Sequence, residues 1–477
     1  MFGYAFEMTP IVTPAEMAAI DADAPEPVEE LIERAGAALA RTALDMLGGG
    51  YGRRVTVLAG KGNNGADGRA AAQRLRRRGV RVAVVDAADA ADPLPAAHLA
   101  IDAAYGTGLQ RPYSPPSPAP LIDRPDQAAP ILATDIPSGV DGLTGEIPGH
   151  AWVAAQTVTF GALKPGLILH PGAQHCGRIT VAPIGLDVSR ARTHLVTADD
   201  VGRWLPVRPV EAHKWKTACW VIAGSPGMTG AAHLAASAAQ RGGSGYVRLS
   251  TPGLDAADLL AGPAAPTEAV GYPLPADDWA SVVDADDLAR FKSVLVGPGL
   301  GRHPNTVKAV RDLVAQIPLP LVVDGDGLDA LGTEAPDVLA HRAAPTVLTP
   351  HDGEYRTLTG AAPDVDRFAS ACSLAAGTGA IVLLKGPTTV VAHPNGDALA
   401  VTSGDARLAT AGTGDVLAGL ICGLLSTDAE PMHAAAAAAW LHGQAATACP
   451  LAAMVASDLL IALPKVWEAA AQQEATP

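Results

Sequence analysis

The stretch "VLAGKGNNGADGRAA", residues 57–71, runs from apolar residues through glycines into a segment of helical composition. Its Gly60, Gly62 and Gly65 spell G-x-G-x-x-G. A strand, a glycine loop and a helix give that motif meaning, because free amides at a helix N-terminus can hold a pyrophosphate. Asp86, near the end of the next strand, stands where such a fingerprint places its ribose-binding acid. Taken alone, this favours a dinucleotide-dependent dehydrogenase. Against it, Asn63, Asn64 and Asp67 crowd a turn that normally presents bare backbone. A plain Asn64-Gly65 turn is a third reading, although the alternating flanks of a hairpin are missing.

Outward from this loop the chain reads as two α/β runs. In the first, "AEMAAIDADAPEPVEELIERAGAALARTALDML" has apolar residues at helical spacing and predicts two helices. Strands are expected at "RRVTVLAG", "VRVAVVD", "HLAIDAAYG", "PILATDIPSG" and "AQTVTFGALK", with a helix at "GRAAAQRLRRRG". Short β-branched runs alternating with helices imply a mostly parallel, covered sheet. The second run holds the strands "WVIAG", "KSVLVGPGLG", "LPLVVDGDGLDAL", "APTVLTPHDGE" and "AIVLLKGPTTVVAHP", then the helical "AGTGDVLAGLICGLLS". The pattern lapses between them in "VAPIGLDVSRARTHLVTADDVGRWLPVRP", so two domains are expected, 1–195 and 196–477.

Bulk properties bound the function. With 48% hydrophobic and 17% charged residues, the 477-residue chain suits a well-packed soluble enzyme. A formal charge of −15 argues against nucleic acid and anionic membranes as partners. The arginines of "QRLRRRG" (residues 73–79) read as a solvated helix end. No apolar run is long enough to span a bilayer, and "MFGYAFEMTP" lacks the pattern of a secretory leader. The five scattered cysteines show no zinc spacing and read as reduced thiols in a cytoplasmic protein.

Three strand ends carry the chemistry of the first half. "LAIDAAYGTGL" puts Asp102 at a strand's carboxyl end before the flexible Gly106-Thr107-Gly108, and "ATDIPSGVDG" does the same with Asp135 and Ser138. Ligands of open parallel sheets sit at those ends. Asn64, Asp102 and Ser138 would converge there as oxygen donors, a set suited to a hard cation rather than zinc. An acid or base beside the substrate is available in Asp135 or Lys164; alternatively Asp135 caps a turn and Lys164 is a surface cation.

Together "GNNGADG", "DAAYGTGL", "DIPSGVDG" and "TFGALKPGL" resemble the N-terminal NAD(P)HX epimerase domain of the NAD(P)H-hydrate repair enzymes, over roughly residues 10–190. The resemblance implies a Rossmann-like domain that binds hydrated NAD(P)H and potassium. Matched positions give potassium to Asn64, Asp102 and Ser138. They give the hydrated cofactor to Asn63, Asn64, Gly65, Ala66, Asp67, Gly106, Thr107, Gly108, Leu109 and Asp135. Ala66 departs from the family's N-N-G-G-D-G. It costs roughly 1 kcal/mol or more if that residue needs a positive φ, and nothing if it merely starts a helix.

In the second half, "ATAGTGDVLAGLICGLL" opens an apolar helix with Gly412-Thr413-Gly414, offering amides and the positive helix end to a phosphate. Asp415 follows in the first turn, where it can take a proton from a hydroxyl during phosphoryl transfer or simply cap the helix. With "IAGSPGMTGAA", "VGPGLG", "VVDGDGLDAL", "LTPHDGE" and "LLKGPTTVV", this half resembles the ADP-dependent NAD(P)HX dehydratase domain of the ribokinase-like superfamily. The resemblance implies that Ala231, Gly299, Gly301, His351 and Asp415 contact hydrated cofactor. It gives ADP to Lys385, Gly386, Pro387, Thr388, Thr389, Gly412, Thr413 and Gly414, with magnesium bridging its phosphates. Two segments depart from the family, His213–Ala218 (for H-K-G-x-x-G) and Asp324–Asp329 (for D-A-D-A-L-N), which puts their nucleotide and substrate contacts in question. The expected whole is a bifunctional cytoplasmic enzyme, a homo-oligomer, acting on hydrated NADH or NADPH with ADP. The rivals are a ribokinase-like small-molecule kinase and a chain whose first half is a catalytically inactive ligand-sensing module.

Overall fold

A computed structural model of the chain describes residues 8–109, 111–262 and 264–473; most of the opening stretch read above for a leader lies outside them. The chain divides into two compact units, Thr9–Thr193 and one running from His194.

In the N-terminal unit, six strands run parallel: β1 (Arg54–Ala59), β2 (Arg81–Asp86), β3 (Leu99–Ala103), β4 (Ile131–Thr134), β5 (Gln156–Phe160) and β6 (Arg178–Ala182). Their order across the sheet is 2-1-3-4-5-6. The central strands are buried on both faces, which is why they read as unbroken apolar runs. The order reverses beside β1, so the crevice at the carboxyl ends of β1 and β3 is the natural ligand position. Helices α1 (Pro14–Asp23), α2 (Val28–Leu47) and α3 (Asn63–Arg77) cover this unit. Helix α2 buries Leu31, Ala35, Leu39 and Ala43 at four-residue spacing against the sheet.

The opening loop is shorter than expected. Helix α3 begins at Asn63, so Asn63 through Asp67 form its first turns rather than a loop. Close approach explains the flanking glycines: a Cβ on Gly65 would lie 1.9 Å from the Gly60 carbonyl oxygen, and one on Gly60 1.8 Å from that of Ala104. Ala66 is helical, and its N–H donates to the Gly62 carbonyl at 3.0 Å. The departure from the family's second glycine therefore carries no backbone cost.

The C-terminal unit contains β7 (Ala218–Ile222), β8 (Tyr246–Ser250), β9 (Val270–Gly271), β10 (Ser293–Val296), β11 (Leu321–Val323), β12 (Thr346–Leu348), β13 (Ile381–Leu384), β14 (Thr389–Ala392) and β15 (Ala398–Val401). They lie in the order 9-8-7-10-11-12-13-14-15. All pairings are parallel up to β13, and the β13–β14 and β14–β15 pairings are antiparallel. "AIVLLKGPTTVVAHP", read above as one strand, is thus a hairpin that turns through residues 385–388. Helices α4 (Gly230–Arg241), α5 (Asp326–Leu331), α6 (Asp352–Thr359), α7 (Thr413–Leu425) and α8 (Pro431–Ala448) flank the strands. Helix α7 is buried along nearly its whole length, matching its all-apolar sequence. The segment where the pattern lapses still forms a short helix, Ala198–Trp204, started by a Thr197/Asp200 capping box.

Candidate active sites

At the carboxyl ends of the N-terminal strands lies a cleft of ≈ 740 Å³, lined by Asn63, Asn64, Asp67, Gly106, Thr107, Gly108, Leu109, Asp135 and Lys164, among others. Of the residues expected to hold hydrated cofactor, Gly65 and Ala66 do not line it; their helical position turns them into the packing of α3.

The three expected cation ligands converge. Asp102 is buried, and its Oδ1 and Oδ2 accept from the Ser138 hydroxyl (2.6 Å) and amide (2.8 Å). The Ser138 hydroxyl also lies 3.0 Å from the Tyr105 carbonyl oxygen, and the Asn64 amide nitrogen donates to that same oxygen at 3.0 Å. Burial raises the Asp102 pKa, and the hydrogen bonds from Ser138 oppose the rise. Among the described residues no cationic side chain pairs with this carboxyl.

Lys164 is not a surface cation. Its side chain is 1% exposed and its ammonium donates to Asp135 Oδ1 at 2.6 Å, Thr159 Oγ1 at 2.9 Å and the Phe160 carbonyl at 3.0 Å. Asp135 has a φ of 63°, a left-handed conformation uncommon for a non-glycine residue. It follows β4, so its carboxylate reaches the end of neighbouring β5, where Thr159 and the Phe160 N–H also donate to Oδ1. Thr159 and the lining residue Tyr105 were visible only as parts of quoted motifs, and the lining residue Asp21 was not singled out.

The second site lies at the carboxyl ends of β10, β11, β12 and β13. A cavity of ≈ 420 Å³ is lined by Gly299, Arg302, Asp326, Asp329, His351, Glu354 and Asp415, among others. Gly412 enters α7 at a φ of 91°, a conformation open to glycine, and no side chain caps the helix. The amides that follow Thr413, of Gly414 and Asp415, have no side-chain cap. The Thr413 hydroxyl turns back onto the carbonyls of Leu408 and Thr410, and its amide donates to the Thr410 carbonyl at 3.3 Å, so Thr413 shapes the turn into the helix. Burial, then the nearby carboxylate of Asp324, pushes the Asp415 pKa up to about 6, although Lys385 pulls it back.

Lys385 stands beside the anion hole: a Cβ on Gly414 would lie 3.7 Å from its ammonium. That ammonium donates to Asp324 at 2.8 Å and lies 3.5 Å from Glu354. Burial disfavours its charge, but the two carboxylates outweigh burial and raise its pKa. Gly386 to Thr389 complete the hairpin end at which Lys385 sits. Ala231 packs beside Gly299, since a Cβ there would meet the Ala231 Cβ at 3.1 Å. Gly301 donates its N–H to Asp326 at 2.9 Å.

His351 does two things at once. Its Nδ1 accepts from the amides of Gly353 (2.9 Å) and Glu354 (3.3 Å), capping α6, while Glu354 accepts from the His351 amide at 2.8 Å. An accepting Nδ1 leaves the proton of the neutral ring on Nε2. Glu354 and Arg302, which bridges Asp326 and Asp329, were missed as site residues. Glu354 was visible in "TPHDGE" only as part of a motif. The divergent 213–218 segment precedes β7 and so belongs to the opposite, amino end of the sheet; its departure does not touch this cavity. In the divergent 324–329 segment, Asp324 and Asp326 keep their carboxylates at the site.

Comparison with known proteins agrees with both halves. Residues 219–465 match the family described as NAD(P)H-hydrate dehydratase, and residues 28–92 and 85–166 match the YjeF-related protein N-terminus. A bifunctional NAD(P)H-hydrate repair enzyme of Salinibacter ruber is 37% identical, with 96% of each chain covered. One of Mycobacterium tuberculosis is 38% identical over 82% of each chain. Among solved structures, the ADP/ATP-dependent NAD(P)H-hydrate dehydratase of Bacillus subtilis, co-crystallised with ATP and Mg2+, is 30% identical with a TM-score of 0.50; it covers 57% of this chain and 97% of its own. A ribokinase-like protein of Enterococcus faecalis, 23% identical with a TM-score of 0.51, covers 59% of this chain and 97% of its own and shares the fold. With motifs, cavities and full-length relatives in agreement, the chain belongs to the family of bifunctional NAD(P)H-hydrate repair enzymes.

Proposed function

We propose that the N-terminal unit interconverts the R and S hydrates of NADH and NADPH, and that the C-terminal unit dehydrates the S form at the expense of ADP. The observation that carries this reading is the pairing, in one chain, of two different strand-end sites. One holds a buried Lys164–Asp135 pair in a wide cleft; the other sets Asp415 beside an uncapped helix start and Lys385.

In the second site the first amides of α7 and the Lys385 ammonium receive the transferring phosphoryl group. Asp415 takes the proton of the C6 hydroxyl as its oxygen attacks the terminal phosphorus of ADP and AMP leaves; phosphate then departs from C6, pushed by the ring-nitrogen lone pair, and loss of a C5 proton to solvent restores the C5=C6 bond. The Nε2–H of His351 is available to orient the substrate. Magnesium, when bound, neutralises charge on the phosphates. Among the described residues no three His, Cys, Asp or Glu side chains gather as a metal cage, which suits an ion held by one or two carboxylates and phosphate oxygens. Incubation of mixed R and S hydrates with ADP, followed by NAD(P)H absorbance, tests the whole reading. Full conversion is expected. Arrest once the S form is spent would show an inactive N-terminal unit, and a stable phosphate ester would show a kinase instead.

Potassium is proposed to sit among Asn64, Asp102 and Ser138. The supports are the buried Asp102 carboxyl with no cationic partner and the oxygens gathered around it. Potassium chloride should therefore raise the melting temperature over tetramethylammonium chloride, since a bound ion stabilises by mass action. Asp102→Asn should abolish that difference, with ion affinity down at least ~10–100-fold. An equal shift in both proteins would remove potassium from this site. Among the described residues no helix is long and apolar enough to cross a membrane. The buried thiols of Cys176, Cys219, Cys422 and Cys449 fit a cytoplasmic place of action.

A further inference from the structure

The Lys164–Asp135 pair lacks a partner that the chemistry of the first cleft needs. Inverting C6 requires a proton for the departing oxygen. Lys164 cannot supply it cheaply, because an ammonium has three protons and all three are committed, to Asp135, Thr159 and the Phe160 carbonyl. Asp135 is the partner of that ammonium. Its three recorded hydrogen bonds all fall on Oδ1, which leaves Oδ2 available as an acceptor.

Asp67 is the remaining candidate. It is 7% exposed, lines the same cleft, and among the described residues its carboxyl makes neither a hydrogen bond nor an ion pair. Buried carboxyls are ordinarily partnered, so this one is left for something that enters the cleft. The other lining carboxyls differ: Glu26 is paired with Arg34, and Asp21 is exposed on α1.

We propose that Asp67 is the general acid of the epimerase, donating its proton to the C6 oxygen while Asp135 serves as the base. This rests on reading the cleft as the epimerase site. As the C6–O bond breaks, its electron pair leaves on oxygen, which takes the Asp67 proton and becomes water; the ring nitrogen's lone pair forms the N1=C6 bond. Water then adds to the opposite face of C6 and gives a proton to Asp135 Oδ2. Exchange through the open cleft returns that proton to Asp67, with no net change in oxidation or protonation.

The surroundings suit an acid that stays protonated near neutrality. Burial, then the carboxylates of Asp135 and Asp21, push the Asp67 pKa up to about 8, while Lys164, already engaged by Asp135, opposes them. Glu26, Lys61 and Arg111 also line the cleft. The two carboxyls of the site differ in their partners, Asp135 being paired with the Lys164 ammonium and Asp67 with no side chain among the described residues.

Epimerisation is to be followed without adenine nucleotide, by chromatography of R and S hydrates, with the uncatalysed rate subtracted. For the unmodified chain, kcat/KM should be level up to about pH 8 and then fall about tenfold per pH unit as the acid ionises. Asp67→Asn should lower kcat by ~10²–10⁴-fold with little change in KM and no basic limb; Asp67→Glu should restore part of the rate and the limb. A residue that only binds substrate would move KM and leave the limb in place. Asp67→Asn within a few-fold of the unmodified rate, or an unmodified profile with no fall above pH 8, overturns the proposal. The profile needs no substitution, so a variant that fails to fold does not shelter it. An unmodified chain that does not interconvert the hydrates at all overturns the epimerase reading itself.

Discussion

Asp415→Asn should reduce dehydration of the S hydrate by ~10²–10⁴-fold, the usual consequence of losing a positioned general base, while the chain still binds adenine nucleotide. The amide keeps the size of the carboxylate and can accept from the substrate hydroxyl, but it cannot take the proton. The phosphate contacts survive because the first amides of α7 and the Lys385 ammonium do not depend on the Asp415 side chain. The unmodified chain should show the titration of this base. With the Asp415 pKa raised to about 6, chiefly by burial, the active form is the carboxylate. The rate constant kcat/KM should rise through about pH 6 and level off above it, and Asp415→Asn should lose that acidic limb. Dehydration unchanged in the variant would reduce Asp415 to a helix-start residue and remove the kinase-like mechanism. Epimerisation should be unaffected, since Asp67, Asp135 and Lys164 belong to the other unit.

Much of this was legible in the chain itself, for a physical reason. Parallel strands buried on both faces write themselves as apolar runs, and a carboxylate or glycine ending such a run marks the ligand end of the sheet. Asp102 and Asp135 were found that way, and Asp415 from the glycines that open an apolar helix. What could not be read depends on register and side-chain direction. Asp135 and Lys164 are 29 residues apart and meet because β4 and β5 are parallel neighbours. Nothing in "FGALKPG" says that Lys164 is buried. Ala66 was ambiguous because a first helical turn and a glycine turn share the same residue types. "LLKGPTTVV" hid its hairpin, since its turn lacks the Asn-Gly or Asp-Gly pair that announces one. His351 carries both its cap and its place in the cavity in one side chain, and sequence offers no way to weigh the two.

Lys164→Met is expected to be among the most destabilising single changes in the N-terminal unit. Removing one partner of a buried ion pair costs ~3–5 kcal/mol, because the other charge remains without its counterion. Asp135, with its side chain 16% exposed, has some access to water, which favours the lower end of that range. It would keep only the Thr159 hydroxyl and the Phe160 amide as donors. Hydrogen exchange in the full chain reads this locally: peptides spanning β4 and β5 should lose protection, and those of the C-terminal unit should not. Adding Asp135→Asn removes the stranded charge and should recover much of the stability, because a pair deleted together costs far less than one deleted by half. Epimerisation should stay lost in the double variant, since neither the base nor the group that orients it remains. Stability that is unchanged in Lys164→Met would mean the ammonium is solvated after all. Stability that does not return in the double variant would mean the lysine acts through packing rather than charge.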